Sequence, residues 1–562
     1  MAETKREIER KYEATDRTEL PDLTRAAGVA SVEDRGVAEL DAVYYDTPDL
    51  RLAADSLTLR RRTGGGDAGW HLKFPVASGI RDEIRAPLSD TLPRSLAGLL
   101  RSRVRDTEVV PIVRLRSTRA VHHLRAEDGA LLAELSVDTV HADRLLGAGE
   151  ATWTEIEVEL ADEAPEQTLD AVEKRLKKAG IHPSDAPSKL ARALAETQPA
   201  AEEAAAPGEG AAKRARKGHG GGASGSAPEH AGTDDRAAKP GRRADGGEAP
   251  GLVRASGRGG AGESSPAPGT AGAAVLDYVR AQRDVLVAMD PAVRRDLPDS
   301  VHQMRVACRR LRSAFKTYRK VVDRAAGDPL GEELKWLAGE LGFARDQEVL
   351  VARLRELLDA TPRPLVLGPA RSRLRIWDAA HARGSRRRAL AALDSERYLA
   401  LLDALDALLA APPLLPAAAR PATAVLPKAV QKDHDRLAAR IAHALDLDPG
   451  HDRDLALHEA RKAAKRARYA AEAAVPTLGK PAERVAKRTK AVQTLLGDHQ
   501  DSVVARDALR TLAVQAHAAG ESAFTWGLLY AREEAAAAAR ERELPEVWAA
   551  ASAPELRAKS TG

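Results

Sequence analysis

Two periodicities divide the chain. Up to about residue 195, apolar and polar positions alternate with a period near two and turn signals recur, which predicts strands. REIERKYEA puts Glu7, Glu9 and Lys11 on one side, and SLTLRRR puts Arg60 and Arg62 in phase with Thr58. GWHLKFP carries His71 and Lys73, and IRDEIRAPL carries Arg81, Glu83 and Arg85. PIVRLRS offers Arg114 and Arg116, with Arg119 beyond them in an unsettled phase. AELSVDTV carries Glu134, Ser136 and Asp138; WTEIEVEL sets Glu155, Glu157 and Glu159 against Ile156, Val158 and Leu160.

From about 271 to 555 apolar positions recur every three or four residues, predicting helices broken by Pro-rich joints near 361–369 and 411–427. In 301–320, His302, Arg305, Arg309, Arg312 and Lys316 share one helical face, and Val301, Met304, Cys308, Leu311 and Phe315 form the buried one. No Asp or Glu occurs from His302 to Lys320 to offset seven Arg and Lys. Like charges at that spacing cost about 0.2–0.5 kcal/mol per pair. His458, Arg461, Lys465 and Arg468 repeat the spacing 156 residues on. The sequence L-G-x-x-x-D follows each basic helix, ending at Asp346 and Asp501. Two linked matches in one order indicate an internal duplication. A solvated basic face remains the plain alternative for either helix alone.

Composition refines this picture at three places. Residues 198–268 are Ala, Gly, Pro and charge with no aromatics, too poor in apolar surface to offset ordering entropy, so a disordered tether is expected. The expected division is therefore 1–197, a linker at 198–270, and a helical domain at 271–555 in two repeats, about 271–410 and 420–555. Net charge is only +4, so any partner is announced by local clusters rather than by the total. One cysteine, Cys308, excludes an internal disulfide and is read as core filler in a reducing, cytoplasmic setting. No stretch approaches the roughly 20 apolar residues of a membrane span.

Strand after strand sets charges of both signs against an apolar face. If the sheet closes, the charged faces line a bore and the apolar faces pack outside against helices. Crowded glutamates call for a cation, and oxygen-only ligands suit Mg²⁺ or Mn²⁺. Arg and Lys opposite would hold phosphate oxygens, so metal-assisted cleavage of a phosphoanhydride is the chemistry expected.

Glu7-Ile8-Glu9-Arg10-Lys11 resembles the ExExK signature of the CYTH, or triphosphate tunnel metalloenzyme, superfamily. Tyr45-Asp46-Thr47, Leu59-Arg60-Arg61-Arg62, Lys73, Arg81-Asp82-Glu83, Asp138, Glu155-Ile156-Glu157 and Ser188-Lys189-Leu190-Ala191-Arg192 follow in the order of that family. The helical half resembles the CHAD domain at His302, Arg305, Arg309, Arg312, His458, Arg461, Lys465 and Arg468. The resemblance implies metal binding by Glu7, Glu9, Asp138, Glu155 and Glu157, and catalytic roles for Glu7, Glu9, Lys11 and Lys189. It implies phosphate contacts from Arg60, Arg62, Lys73, Arg81, Arg114 and Arg116, and inorganic polyphosphate as the ligand of the helical half. Without the family, Lys11 and Lys189 read as surface lysines, and His71 as a rim residue.

The expectation is an N-terminal antiparallel β tunnel with flanking helices, followed by a duplicated helical bundle. The tunnel would hydrolyse a short inorganic or organic triphosphate, and the bundle would bind polyphosphate, in the cytoplasm or on polyphosphate granules. The alternatives are a non-catalytic polyphosphate scaffold and a CYTH-type adenylate cyclase. Nucleic acid is disfavoured, because single-strand binders stack bases on aromatics and these are only 3% of the chain.

Overall fold

The strands predicted by alternation close into one barrel. A computed structural model describes residues 3–198, 266–382 and 384–552. The tether expected at 198–270 therefore lies almost wholly outside the described residues. The strands are β1 (Glu3–Ala14), β2 (Ser31–Asp46), β3 (Thr58–Thr63), β4 (Gly69–Ala77), β5 (Ile80–Ala86), β6 (Val110–Arg125), β7 (Leu131–Arg144) and β8 (Glu150–Leu160). They pair antiparallel in the closed order β1-β5-β4-β3-β2-β6-β7-β8, which leaves no unpaired edge.

Period-two side chains then sort to inside and outside. Leu124, Leu135, Ile156 and Val158 pack outside against Leu169, Val172 and Leu176 of the helix Gln167–Lys178. Leu59, Trp70, Leu72 and Ile84 pack outside against Leu96, Leu99 and Leu100 of the helix Arg94–Val104. The inner face is apolar at one end, where Tyr44, Val113, Leu115, Val140 and Trp153 meet Leu190 and Ala193 of the helix Lys189–Glu196. The rest of the bore is charged and encloses about 390 Å³.

From Ala271 to Ala551 the described chain is helical apart from short 3₁₀ turns and connecting loops. The basic helix Ser300–Thr317 buries Met304, Cys308, Leu311 and Phe315 in the main core, as its periodicity predicts. Its counterpart His451–Leu478 packs against it. Tyr318 Oη donates to the carbonyl of Ala470 at 2.9 Å, and Arg310 Nη2 lies 3.0 Å from Glu472. The helical half also meets the barrel wall, where Arg295 Nη2 lies 3.0 Å from Asp82 on the outer face of β5. No helix of the described residues is long and apolar enough to cross a membrane.

Candidate active site and polyanion cleft

In the barrel, register places the inner charges opposite one another. Across β1 and β5, Glu7 faces Arg81 and Lys5 faces Glu83; across β1 and β8, Lys11 faces Glu157. Asp138 of β7 faces both Glu155 of β8 and Arg119 of β6. Cations gather on β3, β4 and β5, where Arg60, Arg62, Lys73, Arg81 and Arg85 line the cavity.

Carboxylate oxygens of Asp138, Glu155 and Glu157 lie within 4.8 Å of one another. Lys189 occupies the midst of this trio, its Nζ 2.9 Å from Asp138, 2.7 Å from Glu155 and 2.6 Å from Glu157. Its position follows from local sequence: Ser188 Oγ accepts from Ala191 N at 3.1 Å, capping the helix and fixing Lys189 as its first residue. Arg119 closes the other side, donating to both oxygens of Asp138 and to Glu157 at 2.7–2.8 Å.

Burial works against every one of these charges, and the partners decide the outcome. Burial would raise the Asp138 carboxyl, but Lys189 and Arg119 outweigh it and hold it below the usual range. Glu157 is likewise held well below, by Lys11, Lys189 and Arg119. Burial would lower the Lys189 and Lys11 ammonium groups, yet Asp138 with Glu157, and Glu157 with Glu9, keep both above the ordinary lysine value. Both lysines are bore residues, as the resemblance implied and a reading without it did not.

Glu7 and Glu9 line the same cavity but do not join the trio. Glu7 lies 2.5 Å from Lys73, and Glu9 is 3.3 Å from Lys11. Burial, with Glu83 and Glu159, raises the Glu7 carboxyl despite Lys73. His71 is not at the rim: it is 1% exposed, with Nδ1 2.8 Å from Glu83 and Nε2 2.9 Å from the carbonyl of Asp67. Glu83, fully buried, is ringed by His71, Lys73, Arg60 and Arg85, so it sets the angle of the cations around it.

Arg114 and Arg116 correct the expectation. They stand on the outer face of β6, paired with Asp41 and Asp143, and do not reach the bore. The inward phase of this strand is Val113, Leu115 and Ser117, then Arg119. The charged phase faces water here because the inward phase fills the apolar end of the barrel. Arg119, left open by the sequence, is the bore arginine, and Arg85 and Tyr44 join it there; the phase of Leu115 alone would have pointed to Arg119.

In the helical half, L-G-x-x-x-D forms a socket for Arg305 of the first basic helix and for Arg461 of the second. Arg305 grips Asp346 with two bonds of 2.9 and 3.0 Å, and Arg461 reaches Asp501 at 3.7 Å. A Cβ on Gly342 would come within 2.8 Å of the Arg305 guanidinium, and one on Gly497 within 3.3 Å of that of Arg461. The glycines therefore make room for an arginine lying flat on the helix. His458 Nδ1 is 2.6 Å from Gln500 Oε1, and His302 is exposed. Lys465 lies among like charges: burial first, then Arg461, Arg309 and Arg305, draw its ammonium down to about 8 despite Asp501. Arg468 is held apart from this group by Glu472 at 2.6 Å and Gln493 at 3.1 Å. Arg309, Arg312 and Lys316 continue along the Ser300–Thr317 helix, and the Nε atoms of Arg309 and Arg312 are buried without a hydrogen-bond partner. Burial also pushes the Cys308 thiol up to about 12, in keeping with a packing role.

A closed barrel lined by acidic and basic side chains, joined in one chain to paired basic helices, defines a tunnel protein with an appended helical bundle. The chain belongs to the CYTH–CHAD family, with a CYTH domain matched over residues 5–194 and a CHAD domain over 277–510. An uncharacterised protein of Mycobacterium tuberculosis (strain CDC 1551 / Oshkosh) is 37% identical over 554 residues, covering 96% of this chain and 94% of that protein. Among solved structures, PptA from Streptomyces chartreusis shares 26% identity over 50% of this chain and 99% of its own, with a TM-score of 0.42. HpAC1 from Hippeastrum, described as having a dominant triphosphatase activity, shares 22% identity over 34% of this chain and 98% of its own, with a TM-score of 0.22.

Proposed function

We propose that the barrel hydrolyses a short triphosphate, inorganic or organic, and that the helical half binds inorganic polyphosphate. The observation that carries the first part is one cavity that gathers a buried carboxylate trio, Asp138, Glu155 and Glu157, together with a cluster of cations on β3, β4 and β5. A linear triphosphate needs both: cations for its oxygens, and an acidic seat for the counter-ion that accompanies it.

The donor set fits a hard divalent cation. Asp138, Glu155 and Glu157 supply only oxygen and all three are largely buried; the Lys189 ammonium among them, 2.7 Å from Glu155 Oε1, already stands where a cation is held, and a metal would take its place. Mg²⁺ or Mn²⁺ held there would polarise a phosphoryl oxygen and lower the pKa of bound water. The chain supplies the rest. Arg60, Arg62, Lys73, Arg81 and Arg85 bind and orient the phosphate oxygens, with Glu83 fixing their angles. Lys11 and Lys189 offset charge as the phosphoanhydride bond breaks. Glu7, whose carboxyl is raised, is the bore carboxylate suited to accept the proton of attacking water. The apolar end keeps bulk water out behind the site.

The second part is supported by Arg305, Arg309, Arg461 and Lys465, which crowd together without enough acid to neutralise them. A phosphate chain has closely spaced charge and no bases, and this surface has few aromatics to stack them.

Phosphate release from tripolyphosphate, ATP and thiamine triphosphate, with and without Mg²⁺ or Mn²⁺, tests the barrel. Metal-dependent release from tripolyphosphate is expected. No release from any of the three, with metal bound, removes the hydrolase reading and leaves a scaffold; cyclic AMP and pyrophosphate from ATP would mark a cyclase. Retention of the full chain on immobilised long-chain polyphosphate tests the helices.

A further inference from the structure

At the C-terminal end of the first basic helix lies a recess of about 370 Å³ between that helix and the helix Arg324–Glu340. Its walls carry Arg312, Lys316, Arg319, Arg324 and Arg466, against two acids, Asp328 and Glu332. Two of these cations have acidic partners: Arg324 is 2.8 Å from Asp328, and Arg466 is 3.0 Å from Asp433. Among the described residues no ion pair engages Arg312, Lys316 or Arg319, and Arg312 Nε is buried without a hydrogen-bond partner. Burial, then Arg312, holds the Lys316 ammonium below the usual lysine range.

The opposite side is shaped by glycine. Gly327 and Gly331, one turn apart on the Arg324–Glu340 helix, both line the recess. A glycine inside a helix costs about 1 kcal/mol relative to alanine. At Gly327 packing explains it, since a Cβ would meet Phe315 at 3.3 Å. At Gly331 nothing lies within 4 Å of where a Cβ would stand, so the glycine keeps space open rather than relieving a contact.

We propose that this recess receives the terminal phosphate of a polyphosphate chain whose inner units lie along Arg305, Arg309 and Arg312. The proposal rests on the polyphosphate reading of the helical half. Its chemistry is a difference of charge: an internal unit carries about one negative charge, whereas an end group ionises a second time, with a pKa of about 6 for phosphate monoesters. The end group is therefore the unit best served by a recess whose five cations outnumber its two acids, three of those cations being in no direct ion pair among the described residues. Its extra oxygen gains a charge-assisted hydrogen bond that a mid-chain unit cannot make.

The test compares binding of the full chain to long linear polyphosphate with free ends and to the same polymer with both ends blocked as phosphoramidates. Blocking is expected to weaken binding roughly tenfold, the size of one charge-assisted hydrogen bond. Gly331→Leu fills the recess without altering charge and is expected to bind both polymers equally, at the level of the blocked one; Arg319→Ala is expected to shrink the difference. Tight but equal binding of both polymers by the unaltered protein overturns end recognition and leaves polyphosphate binding standing. Full discrimination surviving in Gly331→Leu also overturns it. Failure to bind either polymer overturns the polyphosphate reading itself.

Discussion

Replacing Lys189 by methionine tests the electrostatics of the barrel directly. The side chain is about nine-tenths buried, and its ammonium touches three carboxylates at 2.6–2.9 Å. Methionine keeps most of the volume and removes the charge, leaving Asp138, Glu155 and Glu157 to Arg119 and Lys11. Breaking a buried pair by removing one partner costs about 3–5 kcal/mol. For a domain of this size that corresponds to a fall in Tm of ~6–20 °C. The folded pKa values of Asp138 and Glu157 lie below their unfolded values, so their contribution is present above the carboxylate range and lost as pH falls through the folded values. The deficit of Lys189→Met is therefore largest near neutrality and shrinks on acidification. Mg²⁺ or Mn²⁺ supplies the missing charge and does not compete with an ammonium in the variant, so metal raises its Tm more than that of the unaltered protein. Thermal unfolding across pH, with and without metal, measures all three effects. A metal-free variant melting with the unaltered protein at neutral pH, or an equal metal shift in both, would refute the reasoning.

Three further outcomes are expected. Because Lys465 titrates near 8 and a bound phosphate raises it, polyphosphate binding at that pH takes up roughly half a proton and weakens as pH rises; calorimetry in buffers of different ionisation heat reads the uptake, which Lys465→Arg abolishes. Gly342→Ala presses a methyl against the Arg305 guanidinium, whereas Gly497→Ala meets Arg461 at a longer distance. Polyphosphate retention therefore falls more in the first variant than in the second, and the reverse order counts against the socket. Arg114→Ala with Arg116→Ala keeps triphosphate hydrolysis within about twofold, since exposed pairs contribute little. Arg119→Ala lowers hydrolysis at least about tenfold by freeing two bore carboxylates; equal losses in both variants contradict the assigned faces.

Alternation along the first 195 residues determined that strands would carry charge on one face, and made a charged bore the expectation if the sheet closed. The repeat of His302–Arg312 at His458–Arg468, with L-G-x-x-x-D after each, announced two equivalent basic helices before any contact was known. Local periodicity settles these points because a side chain's phase along its own element is fixed by backbone geometry. Which phase points inward is a property of the closed sheet. Val113 and Leu115 plug one end of the barrel, so on β6 the apolar phase turns in and Arg114 and Arg116 turn out. Tertiary structure also decided that Lys189 sits among three carboxylates, that Glu7 leans to Lys73, and that Gly342 seats Arg305. Each joins residues far apart in the chain, and their energies depend on burial and on distances of a few ångströms that only the folded backbone sets.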